Sequence, residues 1–122
     1  MVKEIAYIAY PSGDVKPTRE WYEKMLGLKF NAPFAEGDVE KYNEAPVGSG
    51  FFSLMTAEWL EREPGTGVGV TFEVENMDDA IRQLREKGVE VGDPYDTPVC
   101  RIVSFNDPEG NKIILHQITV PH

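Results

Sequence analysis

His116 and Tyr7 stand out in this sequence as side chains that could move a proton near neutral pH or offer one to a bound oxygen. His116 carries an imidazole, whose acid and base forms are both accessible near neutrality. Tyr7 carries a phenol that can donate a hydrogen bond to a ligand or simply fill space. A histidine at a strand end can equally be a structural group bonded to a neighbour. Glu73 and Glu44 add carboxylates able to hold a cationic group, although carboxylates at strand ends are commonly solvated surface, and for Glu44 the side-chain direction stays open. Cys100 precedes Arg101, and a cation beside a thiol would make it reactive. Adjacent strand residues point to opposite faces, so Cys100 reads as a small buried filler.

The elements that must position these groups come in two copies. The run Ile5 to Tyr10 precedes Asp14, and Trp21, Tyr22, Met25 and Leu26 then recur at helical spacing. That predicts a strand and a helix, with Asp14 as N-cap, Pro17 in the first turn and Gly27 as the left-handed C-terminal residue. The second half repeats the plan. Val68 to Val74 alternates as a strand does, Asn76 can cap, Met77, Ala80, Ile81 and Leu84 form a helical stripe, and Gly88 closes it. Asp14 and Asn76 stand 62 positions apart, Gly27 and Gly88 61, and such a period marks a structural repeat.

Three strands are predicted after each helix: Leu28 to Phe34, Val39 to Glu44 and Gly50 to Thr56, then Val89 to Tyr95, Val99 to Phe105 and Lys112 to Thr119. The last two strands of each copy are joined by turn-forming segments, Pro46 to Gly50 and Asp107-Pro108-Glu109-Gly110-Asn111. Each copy is therefore a β-α-β-β-β module in an α+β fold, module one over residues 1–56 and module two over 67–122. The segment 57–66 is a polar linker containing Glu61-Arg62-Glu63-Pro64-Gly65. A sheet covered by one helix leaves its other face open, so a cleft between the modules is the expected site. Trp59 would cover its mouth or pack on the sheet edge.

Composition narrows the partners. A chain of 122 residues fits a single domain. Twelve basic residues against 21 acidic ones give a net charge of −9, which disfavours nucleic acid and anionic lipid and suits a neutral or cationic small molecule, although such acidity equally serves solubility alone. The first residues are too short and polar a run for a signal peptide or membrane span. One cysteine allows no intrachain disulfide, so a cytoplasmic setting is expected.

Local text adds a resemblance. Asp14 … Trp21-Tyr22-Glu23 … Leu26-Gly27-Leu28 resembles the first helix of the vicinal oxygen chelate superfamily, which holds glyoxalases, bleomycin-resistance proteins and extradiol dioxygenases. Asp107 to Asn111 resembles its D-P-D-G-N turn. With the repeat, the resemblance covers nearly the whole chain. It implies two tandem β-α-β-β-β modules forming a cleft, and a divalent metal held by His or Gln on each first strand and Glu on each last strand. Counted from the motifs, those four places are Tyr7, Gly69, Ile114 and, through the repeat, Ser53. None is a usual ligand, and the two histidines are His116 and the terminal His122, so no metal and no other cofactor is expected.

Alternation then assigns a cleft lining of Tyr7, Ala9, Phe51, Ser53, Met55, Gly69, Thr71, Glu73, Ile114 and His116. Ile8, Leu54, Val70, Phe72, Val74, Ile113 and Leu115 are assigned to the helix-packed faces. A binder without turnover, homodimeric as the bleomycin-resistance branch is, follows from the resemblance and the missing ligands. The alternatives are a lyase or isomerase of glyoxalase type, metal-free with His116 and Tyr7 as acid and base, or a metal enzyme with displaced ligands such as His116 with Glu73 or Glu44.

Overall fold

A computed structural model describes residues 1–120, so Pro121 and the terminal His122 of the second module lie outside the described residues. The chain forms two four-stranded mixed sheets with helices, an α+β arrangement of two modules. It divides into two compact units, Met1–Gly67 together with Asp107–Asn111, and Val68–Asn106 together with the chain from Lys112 onward.

In the first unit the elements are β1 (Ile8–Ser12), α1 (Val15–Leu26), β2 (Phe34–Glu36), β3 (Val39–Val47), β4 (Gly50–Thr56) and a single helical turn, α2 (Ala57–Leu60). The sheet order is β1-β4-β3-β2, with β1 parallel to β4 and the other pairs antiparallel. The core lies between α1 and one sheet face, where Tyr10, Tyr22, Phe52 and Leu54 are buried and the Tyr22 and Phe52 rings lie 4.9 Å apart. Gly27 closes α1 at φ 70, donating its N–H to the Glu23 carbonyl, as its position predicts.

Asp14 stands at the N-cap position, but its side chain caps nothing. The Glu109 carboxylate ties the segment entering the helix to Thr18 of its first turns without bonding a backbone N–H of the helix. It accepts from the Ser12 hydroxyl at 2.5 Å, the Gly13 N–H at 2.5 Å and the Thr18 hydroxyl at 2.6 Å. Asn111, fully buried, completes the same cluster: its Nδ2 donates to the Pro11 carbonyl and to Asp107, and its Oδ1 accepts from Gly65 and Gly67.

The second unit has β5 (Val70–Glu73), α3 (Met77–Glu86), β6 (Tyr95–Asp96), β7 (Cys100–Asn106) and β8 (Lys112–Ile118), in sheet order β5-β8-β7-β6. Met77, Ile81 and Leu84 of α3 are buried with Val70, Val103, Phe105, Ile113 and Leu115 of the sheet. Asn76 caps α3 as expected, its side chain accepting from the Asp79 N–H at 3.0 Å, and Gly88 follows the helix at φ 86.

Several strand boundaries differ from expectation. The first strand begins at Ile8 and runs through Pro11, not from Ile5 to Tyr10. As an edge strand it tolerates a residue without an N–H. Residues 28–33 form no strand, and the segment after α3 keeps only Tyr95–Asp96 as one. The linker opens with a turn of helix. Ile8, expected against α1, is exposed, because its place at the head of the edge strand lies beyond the packed core.

Candidate functional site

On each sheet the face away from the helix carries the side chains singled out for chemistry. In the first unit, strand partners place Tyr42 beside Met55, Glu44 beside Ser53 and Pro46 beside Phe51, and Ser53 also pairs with Ala9. Partners in a ladder point to the same side. Phe34 joins that side as the partner of Tyr42. The expected Tyr7, Phe51, Ser53 and Met55 therefore share a surface with Phe34, Tyr42 and Glu44, and the register settles which way Glu44 points.

Ser53 is fully buried and its hydroxyl lies 2.9 Å from that of Tyr42, each able to donate to the other. The Tyr7 ring meets the Tyr42 ring edge-on at 5.7 Å. Burial raises the Tyr42 phenol above its ordinary range, and the neighbouring Glu44 carboxylate pushes the same way, so Tyr42 is a neutral hydroxyl at physiological pH. Trp59 packs at 5.6 Å on Phe34 of the edge strand β2. That contact puts Trp59 against both the edge strand and a ring of the helix-free face.

The second unit holds Gly69, Thr71, Glu73, Ile114 and His116. Thr71 pairs with Ile114 and Glu73 with His116. These pairs repeat the Ala9 and Ser53 pairing of the first unit. Glu73 Oε1 lies 2.5 Å from His116 Nδ1, and its Oε2 accepts from the Ile118 N–H, so the carboxylate is held from both sides. That leaves Nε2 as the ring nitrogen opposite the carboxylate. Gly69 precedes the strand at φ 94 and is exposed; the strand expected from Val68 begins only at Val70.

Tyr7 belongs to the first unit and His116 to the second, so the proposed acid and base are not neighbours within either compact unit. Cys100 Sγ lies 3.1 Å from the Thr97 hydroxyl, while Arg101 bonds Asp96 and Asp78, so the thiol and the guanidinium have separate partners. Among the described residues no group of three or more His, Cys, Asp or Glu side chains is placed to hold a metal ion. A groove of about 360 Å³ does exist in the second unit, but it lies along α3, lined by Ile81, Arg85 and Pro94 among others, and touches none of the expected site residues.

Tyr42, Phe34 and the orienting contact of Glu73 on His116 were not anticipated. The last had a signal, since both residues fall on the same predicted face. Tyr42 had none without the register of β3 on β4.

Comparison with known proteins agrees with the fold. A family model described as the Glyoxalase/Bleomycin resistance protein/Dioxygenase superfamily matches residues 4–115. Among solved structures, the fold resembles TnmS3, an antibiotic binding protein from Streptomyces sp. CB03234, with a TM-score of 0.81 and 24% identity over 97% of this chain and 98% of that one. A glyoxalase/bleomycin resistance protein from the same Streptomyces strain gives 0.76 and 26% over 93% and 100%. Lactoylglutathione lyase from Agrobacterium tumefaciens gives 0.75 and 15% over 95% and 94%. No curated protein sequence gives a significant match. No helix among the described residues is long and apolar enough to cross a membrane.

Proposed function

The chain belongs to the Glyoxalase/Bleomycin resistance protein/Dioxygenase superfamily, and we propose that within it this protein binds a neutral or cationic small organic molecule, without a metal ion and without turnover. The supporting observation is what stands at the four places where such proteins hold a metal. Ser53 is buried with its hydroxyl bonded to Tyr42, Tyr7 offers a phenol packed on the same ring, Gly69 has no side chain, and Ile114 offers hydrocarbon. Neutral hydroxyls, hydrogen and a butyl group do not make a donor set for a divalent cation. The same faces carry rings and scattered polar groups, the mixture that binds organic ligands.

The antibiotic-binding relative TnmS3 supports a binding role at the level of fold. In this reading the binding residues are Tyr7, Phe51, Ser53 and Met55, joined by Tyr42, on the first unit and Gly69, Thr71, Glu73, Ile114 and His116 on the second. The protein works as a cytoplasmic homodimer, and a monomer in sedimentation would refute that part. The test of the binding reading is metal analysis of protein purified without chelators and then loaded with zinc or manganese. It predicts no stoichiometric metal, and one bound ion per chain would overturn it.

One observation favours a second reading. The Glu73 carboxylate fixes the His116 ring through Nδ1, the arrangement that prepares an imidazole as a general base. A metal-free lyase or isomerase would then use His116, with Glu73 as its positioning residue. Unchanged turnover of any substrate by His116→Ala would remove this reading.

A further inference from the structure

Glu44 is a half-buried carboxylate on an aromatic surface, and among the described residues no Lys, Arg or His forms an ion pair with it. Its strand neighbour two places away, Tyr42, presents a ring and a hydroxyl; its cross-strand partner is the short, buried Ser53, itself paired with the small Ala9. Aromatic pairs stand around this shallow row. Phe34 with Trp59 and Tyr7 with Tyr42 make ring contacts, and Tyr7, Phe34 and Trp59 remain 43%, 56% and 43% exposed. By contrast Glu40, on the same strand as Glu44, is bonded to Arg19 through two guanidinium nitrogens.

Ring faces attract cations through their quadrupole, and a carboxylate set among them adds charge of the same sign. Desolvating Glu44 under a ligand that brings no positive charge would be costly, whereas an organic cation would offset that cost and gain the ring contacts. Anionic ligands are repelled both by Glu44 and by the chain's net charge of −9.

We propose that the helix-free face of the first unit is a recognition site for a planar organic cation, with Glu44 as the counter-charge and Phe34, Trp59, Tyr7 and Tyr42 as the enclosing rings. The site rests on the binding reading above and narrows its ligand class. It lies wholly within one compact unit, so the chemistry of the second unit is not needed to form it.

The test uses three quinoline probes of nearly equal shape: N-methylquinolinium, which is cationic, quinoline, neutral near neutral pH, and quinoline-4-carboxylate, which is anionic. Binding to the full chain is followed by quenching of tryptophan fluorescence and by calorimetry. The cation should bind at least about tenfold more tightly than quinoline, and the anion more weakly than either. Glu44→Gln should remove most of the advantage of the cation, weakening N-methylquinolinium while leaving quinoline as tight or tighter because no charge is then desolvated, and Phe34→Leu, which keeps the charge, should weaken both.

Equal binding of cation and neutral probe, an unaltered preference in Glu44→Gln, or no binding of N-methylquinolinium would each overturn the proposal. Equal binding would leave the broader binding reading standing, which separates the two failures. Loss of cation binding on raising protein concentration, with dimers forming through the same face, would show that a second copy covers it and would also overturn the proposal.

Discussion

Tyr22, midway along α1, donates its phenolic hydrogen to Asp107 at 2.7 Å, although the two stand 85 positions apart in the chain. Asp107 also accepts from the backbone N–H groups of Glu109 and Asn111 and from the Asn111 amide. A buried carboxylate is thereby satisfied on both oxygens. Tyr22→Phe keeps the ring and withdraws one donor. It should cost about 1–3 kcal/mol, measured as a lower urea midpoint with an unchanged slope.

The same pair sets a pH dependence. Burial, and then the charge of Asp107, push the Tyr22 phenol far above the ordinary phenol range. A raised folded-state value means that the contribution is complete below the unfolded value of about 10 and is lost as pH climbs beyond it, because the unfolded chain releases a proton that the folded chain keeps. Tyr42 is raised as well and acts in the same direction. Urea midpoints should therefore fall above about pH 10, and fall less steeply in Tyr22→Phe. Identical alkaline slopes would contradict the assignment.

The two helix starts should respond differently to loss of their capping residue. Asn76→Ala should cost about 1 kcal/mol, since its side chain holds the Asp79 N–H. Asp14→Ala should cost under about 0.5 kcal/mol, since Asp14 makes no such bond. Glu109→Gln, which weakens the three bonds from Ser12, Gly13 and Thr18, should cost about 1–3 kcal/mol. Thermal or urea unfolding of the three variants gives the order.

Gly67 has no room for a methyl group. A Cβ there would stand 2.7 Å from Tyr10 Cδ1 and 2.8 Å from Asn111 Oδ1, and Asn111 is itself held by Gly65, Gly67, Pro11 and Asp107. Gly67→Ala should destabilise by about 1–3 kcal/mol. Gly92→Ala, with nothing within 4 Å of its Cβ, serves as control and should be neutral or slightly stabilising. Equal melting temperatures for the two variants would contradict the packing.

Much of this was legible in the sequence because repeated local chemistry carried it. The Asn76 cap, the Gly27 closure and the strand Gly50–Thr56 follow from residue types alone, and the period relating the modules reappears in the structure as Ala9 beside Ser53 and Thr71 beside Ile114. What stayed hidden depends on partners distant in the chain. The first strand starts late because pairing of Ile8 with Phe52, not local hydrophobicity, decides where the ladder begins. Asp14 caps nothing, and the chain entering α1 is held instead by Glu109, 95 positions away, through the Gly13 N–H and the Ser12 and Thr18 hydroxyls, which no local motif announces. Tyr42 reaches the candidate site only through the register of β3 on β4, and a shift of one residue would turn it to the other face.

The claim that this protein binds an organic molecule without a metal is tested most directly by a thermal-shift screen of planar and cationic compounds, run in parallel with and without a strong chelator. At least one compound should raise the melting temperature equally in both arms. Stabilisation that vanishes with the chelator and returns on adding zinc or manganese, or no stabilisation by any compound, would contradict it.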